Sequence, residues 1–191
     1  VLGYHGCEEA IGRQAVDGKI PILKSTRDFD WIGTGAYFWE ADPTRAWEWA
    51  QQKKARKEYD KPFVIGAVID LRNCLDLMNR DHAELVRKAY DSYKTMRTKS
   101  QLPLPVNSPA PQDKSEDLVM RRLDCAVINH LHSIMQDGGE PPFDTVRALL
   151  PEGKPLYDGS GLRDKTHVQI AVCNLDCIAS VFHVKGPWSP A

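Results

Sequence analysis

Phe63-Val64-Ile65-Gly66-Ala67-Val68-Ile69 is an unbroken apolar run of seven residues, rich in β-branched side chains. A segment of that length and composition reads as a strand buried on both faces, since a buried helix needs ten or more residues and tolerates β-branching less well. Just upstream, Asp42-Pro43 is a helix start, with Asp as N-cap and Pro at the first helical position, where no N–H is required. That helix runs through Ala46, Trp47 and Ala50 toward Glu58, and its Lys53-Lys54-Ala55-Arg56-Lys57 end reads as a solvated terminus favoured by the helix dipole. Ala36-Tyr37-Phe38-Trp39 reads as a short aromatic strand behind a turn-rich stretch, Ser25 to Gly35. Further toward the N-terminus, Ile20-Pro21-Ile22-Leu23 suits an edge strand, Cys7 to Val16 a short helix, and Val1 to Gly6 a brief strand ended by glycine.

Downstream, Asp81 to Arg97 has a helical pattern with a solvated face. Leu102 to Gln112 carries four prolines and reads as a loop. Glu116 to Met135 is the longest helical pattern, with Val119, Leu123, Val127, Leu131 and Ile134 on an apolar face. His167 to Val172 and Ile178 to Val184 read as strands joined by a turn around Asn174. The expectation is an α+β chain of one domain over 1–191, with strands at both ends and helices gathered between them at about 76–150.

Composition bounds the function classes. The chain has 191 residues, 42% of them hydrophobic, with 25 Lys and Arg against 26 Asp and Glu. A formal charge of −1 argues against nucleic-acid binding through bulk charge and leaves open a local basic groove. No apolar run approaches the ~20 residues that span a bilayer. Five scattered cysteines do not make a secreted disulfide framework, so a reducing cytoplasm is expected. The chain begins at Val1 rather than Met, as expected of a trimmed N-terminal segment.

Four stretches could carry chemistry. Tyr4-His5-Gly6 places a histidine at a strand end beside a glycine that admits close approach. Gly33-Thr34-Gly35-Ala36-Tyr37-Phe38-Trp39-Glu40 suggests backbone near a bound group and a ring offered for stacking, and it lacks the Gly-Lys-Ser/Thr ending of a phosphate loop. In Pro43-Thr44-Arg45-Ala46-Trp47-Glu48-Trp49 the two tryptophans lie on different helix faces. Gly159-Ser160-Gly161-Leu162-Arg163-Asp164-Lys165-Thr166 is a polar loop entering a strand on which His167 and Gln169 share one face. Other readings are weaker. His130 and His132 are badly spaced for a metal, Cys173 and Cys177 lack zinc-ribbon spacing, and His5 with Cys7 makes a nucleophile pair only if the strand continues past Gly6.

The order of these motifs resembles the ADP-ribosyltransferase superfamily, in its diphtheria-toxin and poly(ADP-ribose) polymerase-like branch, whose signature is His, Tyr and Glu on three separate strands. The chain is also similar to uncharacterised bacterial proteins of this type. The resemblance covers residues 2–70 and 155–184, and implies a split β-sheet core with a helical insertion at about 76–150. It implies NAD as co-substrate and no metal. His5 would hold the adenosine-side ribose, Gly6 the nicotinamide amide through its backbone, Tyr37 would stack on the nicotinamide ring with Trp47 on its other face, and Thr44 would bond the carboxamide. Ser160, Arg163 and Asp164 would meet the acceptor. The third motif departs from the family: Gln169 stands where glutamate is usual, and glutamine can hydrogen-bond a ribose but carries no charge. Glu40 and Asp164 are the acids that could compensate. The resemblance therefore implies a mono-ADP-ribosyltransferase acting on protein or nucleic acid, by analogy a toxin or defence effector. The alternatives are an inactive NAD- or ADP-ribose-binding module, or an interaction protein working through 76–150.

Overall fold

The computed structural model describes residues 1–111 and 117–185. In chain order these form β1 (Leu2–Glu8), α1 (Glu9–Val16), β2 (Ala36–Glu40), α2 (Pro43–Ala55), β3 (Pro62–Ile69), β4 (Cys74–Asp76), α3 (Arg80–Lys99), β5 (Asn107–Ser108), β6 (Met120–Arg121), α4 (Arg122–Asp137), β7 (Thr145–Leu150), β8 (His167–Val172) and, after a 3-10 turn, β9 (Ile178–His183). Seven strands make one mixed sheet in the order β4-β7-β8-β2-β1-β3-β9, and β5 and β6 pair separately. All ladders of the large sheet are antiparallel except β4–β7.

The 63–69 run is β3, and it pairs on both sides, with β1 and β9. Its double burial follows from α1 and α2 packing against it. Phe63, Ile65, Ala67 and Ile69 join the core with Ala15 of α1, while Val64 packs with Ala46 of α2. The Asp42 carboxylate accepts the Arg45 N–H at 2.9 Å, the N-cap bond expected of Asp-Pro. A second core lies between the α3–α4 pair and the β4-β7-β8 side of the sheet, built on Tyr93, Val127, Leu131, Val146 and Leu150.

Several elements differ from the sequence reading. β1 runs on to Glu8, because Gly6 pairs with Val64 as an ordinary ladder residue. Ile20 to Leu23 is no strand, since Pro21 has no N–H to give. Only Ser25 bridges to Gly35, and Ile22 reaches the core by its side chain. α4 begins at Arg122, Val119 lies before it in chain without regular structure, and Glu116 and Gln112 fall outside the described residues. The proline-rich loop contains β5. β8 and β9 follow each other but sit far apart in the sheet order. The stretch 76–150 is not wholly helical. Thr145–Leu150, buried at Thr145, Val146, Ala148 and Leu150, is a strand between β4 and β8, too short after Pro141-Pro142 to form a helix.

One feature of the sheet positions the site. β1 and β2 share only the pairs Gly3↔Glu40 and Tyr4↔Trp39, and then splay apart. His5 Nδ1 spans the gap to the Tyr37 carbonyl at 2.8 Å. The sheet thus opens between its β9-β3-β1 side and its β2-β8-β7-β4 side.

Candidate active site

A cleft of about 1770 Å³ lies at this opening, lined by His5 and Cys7 from β1, Tyr37 and Trp39 from β2, and His167 and Gln169 from β8. Trp39 faces Gln169 directly across the β2–β8 ladder, so their side chains share a face. α2 adds Arg45 and Trp49, and the β7–β8 loop adds Glu152, Arg163 and Asp164. That loop is an arm closed by a Pro155–Arg163 bridge, by Asp164 N to Lys154 O at 2.9 Å, and by Lys165 N to Glu152 O at 3.1 Å.

At the cleft floor Arg45 Nη2 donates to both Glu152 oxygens at 2.7 Å, with both side chains nearly excluded from water. His167 packs against this pair, Nδ1 lying 3.7 Å from Glu152 and 2.8 Å from the Lys165 carbonyl. A carbonyl only accepts, so Nδ1 carries the hydrogen and the neutral ring leaves Nε2 bare and buried. Burial pushes the His167 pKa down, opposed by its bond to Lys165 and reinforced by the Arg45 charge. His5 follows the same logic: its Nδ1 donates to Tyr37, and burial lowers its pKa. Tyr37 is held on both sides, donating to the Gly33 carbonyl at 2.5 Å and accepting from Ile32 N at 3.1 Å. Burial, followed by the Asp30 charge, raises its pKa well above the usual range.

Among the described residues six buried side-chain polar atoms lack a hydrogen-bond partner, and five of them belong to Trp39 (Nε1), Arg45 (Nε and Nη1), His167 (Nε2) and Gln169 (Oε1). Arg45 Nη1 lies 3.7 Å from Glu48 Oε2, within ion-pair reach but beyond a hydrogen bond. Each orphaned polar atom in a folded interior has a cost of about 1–3 kcal/mol. Five of the six thus fall on four adjoining residues at the floor of the cleft.

The sequence-predicted residues divide. His5, Tyr37, Gln169, Arg163 and Asp164 line one cleft. Gly6, Thr44, Trp47 and Ser160 do not. Gly6 lies under α2, where a Cβ would come within 2.4 Å of the Ala46 carbonyl oxygen. Thr44 is exposed on the first turn of α2. Trp47 packs with Trp39, Ala46 and Val64, and it is Trp49, on the other helix face, that reaches the cleft. Ser160 closes a local turn by accepting from Leu162 N at 3.0 Å. Gly33 and Gly35 serve packing rather than a ligand: Gly33 holds φ +87° against Ile128 and Asn129, and Gly35 abuts Ala171.

Neither proposed compensating acid is free. Glu40 points away from the cleft and is held by Arg147, at 2.6 Å and 3.0 Å. Asp164 lines the cleft but accepts Lys154 N at 2.8 Å. His5 and Cys7 do share a strand face, yet burial and the Glu8 charge push the Cys7 thiol up to about 12, which removes it as a nucleophile near neutrality.

The residues missed in the sequence are Arg45, Glu152, Trp39 and Trp49. Arg45 left one signal, a cation in the first turn of a helix where the dipole disfavours it. Glu152, alone between Pro151 and Gly153, left none.

No protein-family model matches this chain, and no solved structure does. It is similar to an uncharacterised protein of Methanocaldococcus jannaschii. The two are 28% identical over 168 residues, 85% of this chain and 70% of that one. Among the described residues no helix is long and apolar enough to cross a membrane, and no group of three His, Cys, Asp or Glu is placed to hold a metal ion.

Proposed function

We propose that this protein is an NAD-dependent mono-ADP-ribosyltransferase, cleaving the nicotinamide–ribose bond and passing ADP-ribose to one acceptor. The observation that carries the reading is the convergence of His5, Tyr37 and Gln169, from the neighbouring strands β1, β2 and β8, onto one cleft at a split in the sheet. The cleft exceeds the ~300–1,000 Å³ usual for small-molecule pockets, which leaves room for a dinucleotide and part of a second substrate.

A second reading, an NAD- or ADP-ribose-binding module without turnover, is favoured by one observation. The cleft floor carries a carboxylate, but Glu152 is clamped by Arg45 and Gln169 is uncharged. Nicotinamide release from NAD separates the two. The transferase reading expects release that His5→Ala and Tyr37→Ala both abolish, with adenine label recovered on a macromolecule. Binding of NAD without release would establish the module, and failure to bind NAD at all would end both readings.

A further inference from the structure

The mouth of the cleft has a charge character that the whole chain does not. Leaving out the Arg45–Glu152 pair of the floor, the lining holds seven Lys and Arg against five Asp and Glu, in a chain whose formal charge is −1. Every one of the five carboxylates is engaged, as is Glu152. Glu58 pairs with Lys53 at 2.6 Å and Glu152 with Arg45, while Asp117 accepts Gly153 N at 2.9 Å and lies 3.5 Å from Arg163. Glu8, Asp30 and Asp164 accept backbone N–H groups at 2.8–3.1 Å. Among the described residues, Lys24, Arg27, Arg56, Lys154 and Lys165 have no carboxylate within 4.0 Å, although all five face the cleft.

These cations come from three separate segments: the loop before β2, the end of α2, and the arm between β7 and β8. Aromatic rings stand beside two of the three. Phe29 and Trp31 follow Arg27 in the first loop, and Trp49 and Tyr59 flank Arg56, their ring centroids 6.0 Å apart and edge-on. All four rings are half-buried, and protein cations already lie closest over two of them, Arg121 at 4.4 Å from the Trp31 centroid and Lys53 at 5.1 Å from that of Trp49. A dinucleotide has two phosphates, fewer than the five cations that three segments bring to this cleft with no described carboxylate within 4.0 Å. The Glu58 charge still acts on Arg27 and Arg56, and the Asp30 charge on Arg27. Cations tracking a backbone, interleaved with rings that stack bases, are the features that bind single-stranded nucleic acid. A duplex keeps its bases stacked on each other and cannot use the rings.

We infer that the cleft mouth is a binding site for single-stranded nucleic acid, its phosphates on Lys24, Arg27, Arg56, Lys154 and Lys165 and its bases against Phe29, Trp49 and Tyr59. The site stands on this geometry alone; its role as the acceptor site rests on the transferase reading. In that role a base or hydroxyl of the bound strand attacks C1′ of the nicotinamide ribose with a lone pair. The glycosidic electron pair leaves with nicotinamide, and the acceptor's proton passes to solvent.

The test is fluorescence anisotropy with labelled 12-nucleotide single strands of DNA and of RNA, the matching DNA duplex, and heparin as a polyanion without bases. The inference expects a single strand to bind more tightly than the duplex, with affinity falling as salt rises along a log–log slope of about −3.5 for five contacts. Lys24→Glu/Arg56→Glu/Lys154→Glu should lose at least tenfold, and Trp49→Ala/Tyr59→Ala should weaken the strand but not heparin. No binding at low salt, duplex and single strand bound alike, or indifference to the charge reversals would overturn it. Nicotinamide release and adenine-label transfer to the same strand are measured in parallel. Strand binding without release ends the transferase reading and leaves the site standing, whereas release without strand binding does the reverse.

Discussion

Removal of Glu152 tests the buried cluster on which the site depends. Arg45 and Glu152 keep side-chain exposures of only 7% and 10%, and both Glu152 oxygens accept from one guanidinium nitrogen. Glu152→Ala would leave the Arg45 charge buried beside the Trp39 ring, its centroid 5.8 Å away, with Glu48 at 3.7 Å as its only other acid partner among the described residues. Glu48 is 45% exposed and cannot replace a desolvated partner. Breaking a buried pair by removing one member costs about 3–5 kcal/mol, a large share of the ~5–15 kcal/mol by which a domain is stable. The double variant Arg45→Met/Glu152→Leu removes both charges and keeps the volume, and should lie within ~1 kcal/mol of the native chain, or above it. Urea unfolding of the native chain, Arg45→Met, Glu152→Leu and the double variant closes a cycle whose coupling term isolates the pair. A Glu152→Ala loss under ~1 kcal/mol, at unchanged m-value, would refute the claim that the pair is dry and mutually dependent. The double variant should also fold yet fail to bind NAD or ADP-ribose, separating a cluster retained for ligand from one retained for stability.

Four further outcomes are expected. His5, His130, His132 and His167 all have pKa values lowered from 6.5, burial being the first cause for each, so the unfolded chain takes up protons before the native one does. Their stabilising effect is complete above pH 6.5 and is lost as pH falls below it, at up to about 1.4 kcal/mol per pH unit per histidine, and urea midpoints measured between pH 5 and 7.5 check the slope. Gly6→Ala should lower Tm by several degrees in a thermal melt, because its Cβ would meet the Ala46 carbonyl and α2 would have to lift from β1. Cys125 and Cys173, both raised to about 11, and Cys7, raised to about 12, should alkylate at pH 8 roughly a hundredfold or more slower in the native chain than in urea, as read by mass spectrometry. Within the transferase reading, Gln169→Glu should raise nicotinamide release by about 10²-fold, the worth of one preorganised electrostatic contact, and no gain would favour the binding module without turnover.

What was legible in the sequence was what depends on neighbours along the chain. The β-branched run of β3, the Asp42 cap and the alternation that sets His167 and Gln169 on one face of β8 are all local, and all appear in the structure. β7 was hidden because its six residues close a stretch dominated by two helices, and only its pairing with β4 and β8 makes it a strand. Trp47 and Trp49 could be assigned to different faces of α2 from spacing, but which face meets the cleft is decided by how α2 lies on β1 and β3. The contact that settles it is Gly6 under Ala46, between residues forty positions apart.

The same distinction explains why the cleft floor escaped detection. Arg45 and Glu152 are 107 residues apart, and each alone is an ordinary charged residue near a helix start or a loop. They acquire meaning only where β2 and β8 bring the start of α2 beneath the arm that follows β7. There an ion pair without net charge seals the floor while leaving Nε and Nη1 of Arg45, Nε1 of Trp39, Nε2 of His167 and Oε1 of Gln169 without partners. An interior selected for stability alone would replace such a cluster with apolar side chains at little cost or some gain. Under the proposed function the cluster serves the ligand site rather than stability, and the cations lining the cleft would draw an anionic ligand toward it.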